Sequence, residues 1–452
     1  MQETILNKII KDKIDWIKER KKKQPLNNFY NQINTKTRSF YNSLKNTRPF
    51  FILECKKKSP SLGILRKKFN LVKIANIYKK YASSVSVLTD EKYFHGNLKF
   101  INIIRQCVAQ PILCKDFFID SYQIYLARYY NADAILLMLS ILNDTQYIEL
   151  SKIAQKLNMG ILTEINNFSE LKRAIHLKAS IIGINNRNLH DLSIDLNRTR
   201  TLAPLIKKKI IISESGIQKN YQVKELSKIV DGFLVGSSLM SQKNLDLAVK
   251  SLIVGENKIC GLTRIIDSKV AEKCNAVYGG LIFVNNSPRK IDQKTAKKII
   301  FQNHLKYVGV FQNESINIIV NIAEQLSLYA VQLHGFENQN YINSLRKKLP
   351  HNIKIWKVFS IKSKLPILDW NHVDKYIFDS NFGGSGLTFN WSLLKNKILD
   401  NVIIAGGINT KNYIIASQFY CAGLDLNSGI EKFPGIKDHK KMEYIFQNLM
   451  IK

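Results

Sequence analysis

The chain has 452 residues, 45% hydrophobic and 23% charged, which gives enough apolar material for two large cores and excludes a disordered, collagen-like or small disulfide-stapled protein. Lys plus Arg number 68 against 35 Asp plus Glu, a formal net charge of +33. The lysines are scattered, and the runs Lys21 to Lys23, Lys56 to Lys58 and Lys207 to Lys209 lack the interleaved aromatics of a single-strand nucleic-acid platform, so the charge reads as a solvated surface able to attract small anions.

The chain opens with Glu3, Asp12, Asp15 and Glu19 among lysines, a pattern that fits neither a secretion signal nor an acid-poor transit peptide. Ile5, Ile9, Ile10, Ile14 and Ile17 predict one apolar face of an amphipathic helix. The six cysteines (55, 107, 114, 260, 274 and 421) form no CxxC pair and no zinc-like spacing with His. No apolar stretch reaches the roughly 18 residues of a membrane span. The expectation is a soluble, reduced, cytoplasmic protein.

Short apolar runs then alternate with longer stretches of helical spacing. FILECK, SVSVLTD, PILCKDF, AILLMLSI, GILTEI, SIIGINNR, KIIISESG and GFLVGSS supply eight strand candidates between Phe51 and Ser238. Continuous Ile, Leu and Val runs suit parallel strands buried on both faces, and eight strand–helix units close into one barrel. The count restarts with KICGLT, AVYGGLIFV, YVGVF, AVQLHG, KIWKVFS, YIFDS, NVIIAGGI and GLDLNSG. The expected fold is therefore α/β: two consecutive (β/α)8 TIM barrels, the first with an extra N-terminal helical segment. The junction is expected in Gly255 to Asn257, dividing the chain into residues 1–256 and 257–452.

Such barrels carry their chemistry at the C-terminal ends of the strands. In the first half those ends bring Glu54, Lys56, Lys115 and Glu164 to one mouth, two candidate acids and two candidate bases suited to proton transfer on an anionic substrate. Each alone also fits a bland role, a solvated lysine or a turn-capping carboxylate; four on one face favour function. Asp90, Asn185, Arg187, Glu214 and Ser215 lie at further strand ends, and VGSS after the eighth strand offers N–H groups and hydroxyls to a phosphate. In the second half Cys260 and Asp379 can shuttle a proton between carbon and oxygen, as an aldose-to-ketose conversion requires, although a lone Cys is more often a small buried hydrophobe and an Asp before NFGGSG can be a turn former. GGSG, AGGI and NSG after strands six to eight form three consecutive Gly-rich turns, a phosphate cradle.

FILECKKKSPS, SVLTDEKYFHG, PILCKDFFID, DAILLMLSIL, LTEI, IGINNRNLHDL, ISESGI and LVGSSLM together resemble the indole-3-glycerol-phosphate synthase family over residues 1 to 254. That resemblance implies closure of the pyrrole ring of carboxyphenylamino-deoxyribulose phosphate with loss of CO2 and water. It makes Lys115 the general acid for ring closure, Glu164 the general base or charge stabiliser, and Glu54 with Lys56 a coupled pair that helps the dehydration. Asn185, Arg187 and Ser215 hold the anthranilate portion and order the network, Ser59, Gly216, Gly236 and Ser237 contact phosphate, and Phe94 is an aromatic wall. A lysine crowded by a second lysine is expected to lose proton affinity, which would make Lys115 a better acid near neutrality. His95, Asn97 and Leu62 stand where the family commonly reads YFQGS and SPSKG.

KICGLTR, GGLIFVNNSPR, QLHG and IIAGGI resemble the phosphoribosylanthranilate isomerase family over residues 257 to 452. The implied reaction is an Amadori rearrangement that makes the ketose consumed by the first barrel. Cys260 is then the base that takes the C2 proton, Asp379 the acid that opens the ring, and Arg289 the partner of the anthranilate carboxylate. His334 is a wall, a hydrogen-bond partner or an ordinary strand-end histidine, and Gly384, Ser385, Gly407 and Ser428 are phosphate candidates. The order of the halves resembles the fused tryptophan-biosynthesis enzymes of enteric bacteria. Neither family implies a metal, flavin or nicotinamide cofactor, and no GxGxxG follows a strand here. The expected partners are phosphorylated anthranilate-derived small molecules, with no specific nucleic acid and no membrane, acting on a monomer. A phosphosugar epimerase or aldolase on the same architecture, and a basic nucleic-acid-binding protein built on inactive barrels, are the alternatives.

Overall fold

The computed structural model of the chain describes residues 4–45, 47–188, 191–380 and 386–450. It has two compact units, one of residues 1–218 and 226–248, the other of residues 219–225 and 249–452. Among the described residues no helix is long and apolar enough to cross a membrane.

The first unit is a closed barrel of eight strands: β1 (Phe50–Cys55), β2 (Ser84–Leu88), β3 (Ile112–Lys115), β4 (Ala134–Met138), β5 (Gly160–Ile165), β6 (Ile181–Asn185), β7 (Ile210–Glu214) and β8 (Gly232–Val235). Every neighbouring pair is parallel, and β1 closes the ring by pairing with both β2 and β8. All eight correspond to the runs read from the sequence. Leu113, Leu136, Leu162, Ile212 and Leu234 fill the barrel, and helices cover its outside, so residues on both faces of a strand are buried.

The N-terminal helix α1 (Ile5–Lys23) starts at Thr4, whose hydroxyl accepts from the Asn7 N–H, and ends in Arg20 to Lys23, where positive charge suits the carbonyl end of a helix. Its buried face is Leu6, Ile9, Lys13 and Ile17, which corrects the expected isoleucine stripe: Ile14 is 43% exposed. The reason is electrostatic. Lys13 Nζ lies 2.8 Å from Asp90 and 2.7 Å from Asp116, carboxylates just beyond β2 and β3, and those two charges outweigh the cost of burying the ammonium, holding the lysine's pKa above its ordinary value. Helix α1 is thereby pinned across the mouth.

The opposite end of this barrel carries a different charge cluster. Asp133, buried immediately before β4, accepts from the backbone N–H groups of Arg38 and Ile112 at 2.9 and 2.8 Å and pairs with Arg105. It ties the segment after α1 to the barrel floor, where charged networks serve stability.

The second unit is a closed parallel barrel in simple sequence order: β9 (Lys258–Ile259), β10 (Tyr278–Ile282), β11 (Lys306–Phe311), β12 (Ala330–Leu333), β13 (Lys354–Ser360), β14 (Lys375–Asp379), β15 (Ile398–Ile404) and β16 (Tyr420–Leu426). Leu281, Val331, Ile355, Phe378 and Ile404 belong to its continuous apolar core. After β16 a short antiparallel hairpin, Glu431–Phe433 with Ile436–Lys437, precedes the final helix.

Candidate active sites

In a parallel barrel the register decides which strand-end side chains meet. Lys115 stands beside Leu88, Glu164 beside Met138 and Gly183, and Asn185 beside Glu214. The result is a linked set at the mouth. Glu54 lies 2.6 Å from Lys56 and 3.4 Å from Lys115, and Lys115 lies 2.9 Å from Glu214. Asn185 donates to Glu164 at 3.1 Å, and Lys56 donates to the Ser237 hydroxyl at 3.3 Å. Glu54, Lys56, Lys115, Glu164, Asn185, Arg187, Ser59, Ser215, Ser237 and Phe94 all line one cavity of about 100 Å³.

Burial and charge set the proton affinities. Burial opposes ionisation of Glu54, yet Lys56 and Lys115 together hold its pKa below the usual carboxylate range. Burial also drives Lys56 down, with Lys115 adding to the effect, and Glu54 only partly offsets them. Lys115 behaves in the opposite way from the sequence expectation. Desolvation disfavours its charge, but Glu214, Glu54 and Glu164 surround it and raise its pKa above the ordinary value, so crowding by carboxylates defeats crowding by one lysine. Glu164 is pushed up to about 8 by burial and by Glu214.

Glycine makes room for these carboxylates. A Cβ on Gly183 would stand 2.0 Å from Glu214 Oε1, and one on Gly236 would stand 2.3 Å from Glu54 Oε1. Gly216, at φ +83°, packs against Ile194 and Leu196. Gly216 and Gly236 therefore adjoin the cavity rather than form its lining. Sequence reading gave Glu214 a strand end but no role, and it did not place α1 at the site, although Leu6 and Ile9 line the cavity with Met138. The signal for Glu214 was Gly183, a glycine in the middle of an apolar strand.

The second barrel holds a larger cavity, about 720 Å³, lined by Cys260, Arg289, His334, Asp379, Gly407 and Ser428. Gly384 and Ser385 lie outside the described residues. Cys260 follows β9 directly, its sulfur seated where a Cβ on Gly280 would be 2.7 Å away. Burial pushes its thiol up, while Lys258 and Lys437 pull the other way. Lys258, two residues earlier and so on the same face of the chain, pairs with Asp425 at 2.7 Å, and that carboxylate keeps the fully buried ammonium charged.

Asp379 is raised by desolvation, although it accepts from the Ser380 N–H at 2.7 Å. His334 Nε2 is 3.7 Å from Asp379, but burial and the Lys258 charge lower the imidazole to about 4, so it is neutral at neutral pH and the contact is not an ion pair. Lys357 donates to Gly335 O and pairs with Glu337, both at 2.7 Å, fixing the turn that carries His334. Arg289 pairs with Glu431. Sequence reading missed Lys258, Asp425, Glu431 and Lys437. The first two were within reach, since each lies two residues before a position already singled out.

Residues 6–252 match the family described as indole-3-glycerol phosphate synthase, and residues 257–448 match the family described as N-(5'-phosphoribosyl)anthranilate (PRA) isomerase. The whole chain is similar to relatives named tryptophan biosynthesis protein TrpCF. It is 73% identical over 449 residues to that of Buchnera aphidicola subsp. Schizaphis graminum (strain Sg), covering 99% of this chain and 100% of the relative. It is 69% identical over 450 residues to that of Buchnera aphidicola subsp. Acyrthosiphon pisum (strain APS), and 54% identical over 448 residues to that of Salmonella typhi, each with 99% of both chains covered.

Proposed function

The chain belongs to the family of tryptophan-biosynthesis proteins that join an indole-3-glycerol-phosphate synthase and a phosphoribosylanthranilate isomerase in one polypeptide, and on that premise we propose how its residues divide the chemistry and where its domains meet. The protein is a bifunctional enzyme, a decarboxylating lyase in its first barrel and an isomerase in its second. The observation that carries the residue roles is that each cavity gathers its own acid and base from different strand ends. We set the domain boundary between residues 256 and 257.

In the second barrel Asp379, kept protonated to higher pH by burial, donates to the ribose ring oxygen and opens the ring. Cys260 takes the C2 proton, and the enol formed settles as the ketose; no atoms are gained or lost. A thiolate of raised pKa is a strong base, and Lys258 steadies its charge as it forms. Arg289 takes the anthranilate carboxylate, Gly407 and Ser428 the phosphate, with Gly384 and Ser385 assigned there from the family resemblance alone.

In the first barrel the aromatic carbon that bears the carboxylate attacks the ketose carbonyl while Lys115 protonates the carbonyl oxygen. Three carboxylates keep that proton on Lys115 until the developing alkoxide takes it. CO2 leaves and restores the aromatic ring. Lys56, whose pKa is lowered, then protonates the departing hydroxyl, and the adjacent ring carbon gives up a proton, so that one C–C bond forms and CO2 and water are lost. Glu164 is the base or stabilises the positive charge, Glu54 couples the two lysines, Phe94 walls the aromatic ring, and Asn185, Arg187 and Ser215 order the anthranilate end. Ser59 and Ser237 take the phosphate, with Gly216 and Gly236 beside them.

Freshly generated phosphoribosylanthranilate, followed by chromatography and fluorescence, tests both reactions together. Asp379→Asn should leave the substrate untouched yet still convert supplied ketose, and Lys115→Met should accumulate the ketose. A folded variant that lost both reactions would refute the separation of roles. The same reading makes the enzyme a cytoplasmic monomer acting on small phosphorylated substrates, which sedimentation and cell fractionation test.

A further inference from the structure

Arg289 is clasped along one edge. Its Nε donates to Glu431 Oε1 at 3.0 Å and its Nη2 to Oε2 at 2.8 Å. Glu431 Oε1 also accepts from Lys437 Nζ at 2.8 Å and from the Gly435 N–H at 3.1 Å, and Lys437 Nζ reaches Asn427 Oδ1 at 2.9 Å. Arg289, Glu431 and Lys437 are all buried. The stem of Arg289 rests on Gly261, where a Cβ would meet Cδ at 2.8 Å. Glu431 and Lys437 come from the hairpin after β16, so this small structure brings a carboxylate beneath a guanidinium 142 residues earlier in the chain.

A guanidinium is a rigid planar fork, so fixing its Nε–Nη2 edge fixes the direction of its Nη1 edge. Arg289 lines the cavity. An unclasped arginine would lose rotamer freedom each time it met a ligand, a cost that the clasp removes in advance. The second cation has a purpose here as well: with Lys437 the trio carries a net charge of about +1, so Glu431 orients Arg289 without cancelling its attraction for an anion.

We infer that Glu431 is a positioning residue for the isomerase reaction: by holding one edge of Arg289 it presents the other to the carboxylate of the anthranilate ring, and so selects carboxylated substrates. This rests on the reading of Arg289 as the carboxylate anchor.

The test compares phosphoribosylanthranilate with the ribosylamine made from aniline and ribose 5-phosphate, which lacks the carboxylate, using the full chain. Glu431→Gln should raise KM for the carboxylated substrate about tenfold with kcat within about twofold, the mark of lost substrate binding, and change kcat/KM for the aniline compound less than about twofold. In an Arg289→Met background Glu431→Gln should add nothing further. Equal losses on both substrates, or an undiminished loss in that background, would overturn the positioning role. If Arg289→Met itself fails to discriminate between the substrates, the anchor reading fails first and the positioning role with it. Should Glu431→Gln not fold, Arg289→Lys replaces it, since it keeps the charge but cannot be clasped on one edge while offering the other. It should lose about tenfold on the carboxylated substrate alone, and wild-type behaviour would overturn the inference.

Discussion

Gly183→Ala should disable the first barrel without adding or removing any reacting group. The new Cβ would lie 2.0 Å from Glu214 Oε1, 3.1 Å from its Cδ and 3.2 Å from Leu162 Cδ1, on a strand whose backbone is fixed by ladders on both sides. Glu214 Oε1 must therefore retreat by roughly 1.4 Å to reach a normal contact distance. That motion stretches the 2.9 Å bond to Lys115 beyond hydrogen-bond range and removes one of the carboxylates that hold the ammonium. Misplacing by about 1 Å a group that positions the acid Lys115 costs on the order of 100-fold in rate, about 2.7 kcal/mol in the barrier. Overpacking adds about 1–3 kcal/mol of lost stability, which the melting temperature would record separately. The assay is the initial rate of indole-3-glycerol phosphate formation from supplied ketose, with the isomerase rate of the same molecule as internal control. A folded Gly183→Ala protein forming product within twofold of the parent would show that the seat of Glu214 has no part in the reaction.

With Glu164 raised to about 8 and required in its ionised form, kcat/KM for indole synthesis should rise with pH through about 8. Glu164→Gln should be slow and lack that limb; a fall through the same range would mean that the group acts as an acid. The neutral imidazole predicts that His334→Asn leaves the isomerase pH profile between 5.5 and 7.5, roughly the span of an unperturbed histidine, without a new or a missing inflection. Lys13→Met strands two buried carboxylates and should cost about 3–5 kcal/mol of stability by denaturant titration, most of it recovered by adding Asp90→Asn and Asp116→Asn. If Lys13→Met unfolds at the same denaturant concentration as the parent, the triad does not hold α1. Lys258→Met should slow the isomerase at least tenfold and shift the alkaline limb of its pH profile upward, because Cys260 then ionises without its neighbouring cation.

The strands were legible because parallel strands buried on both faces have no amphipathic alternation to hide them, and strand ends then named the acids and bases that both cavities gather. What escaped was set by partners distant in sequence. Lys13 interrupts an apolar face and reads as a polar gap until Asp90 and Asp116 are seen beneath it. Glu431 lies beyond the last barrel strand, where the strand-end filter does not look. The proton affinity of Lys115 was misjudged because the sequence argument weighed only the neighbouring lysine, whereas three carboxylates together outweigh it. Gly183, Gly236 and Gly280 each mark, inside a strand or directly after one, the seat of a reactive side chain from a neighbouring strand.

Synthesis runs from the N-terminus, so helix α1 is made before the strands that anchor it and at first has neither carboxylate to hold. The two carboxylates that receive Lys13 follow the second and third strands, and at about 5–20 residues per second the helix waits several seconds for them. Until then Leu6, Ile9 and Ile17 face water beside an unpaired ammonium. This part of the first cavity's wall thus precedes its anchors in synthesis and is held only once they have formed. Docking of α1 doubles as a proof that the loops after β2 and β3 are correctly formed, and a chain stalled before that point leaves the apolar face of α1 uncovered.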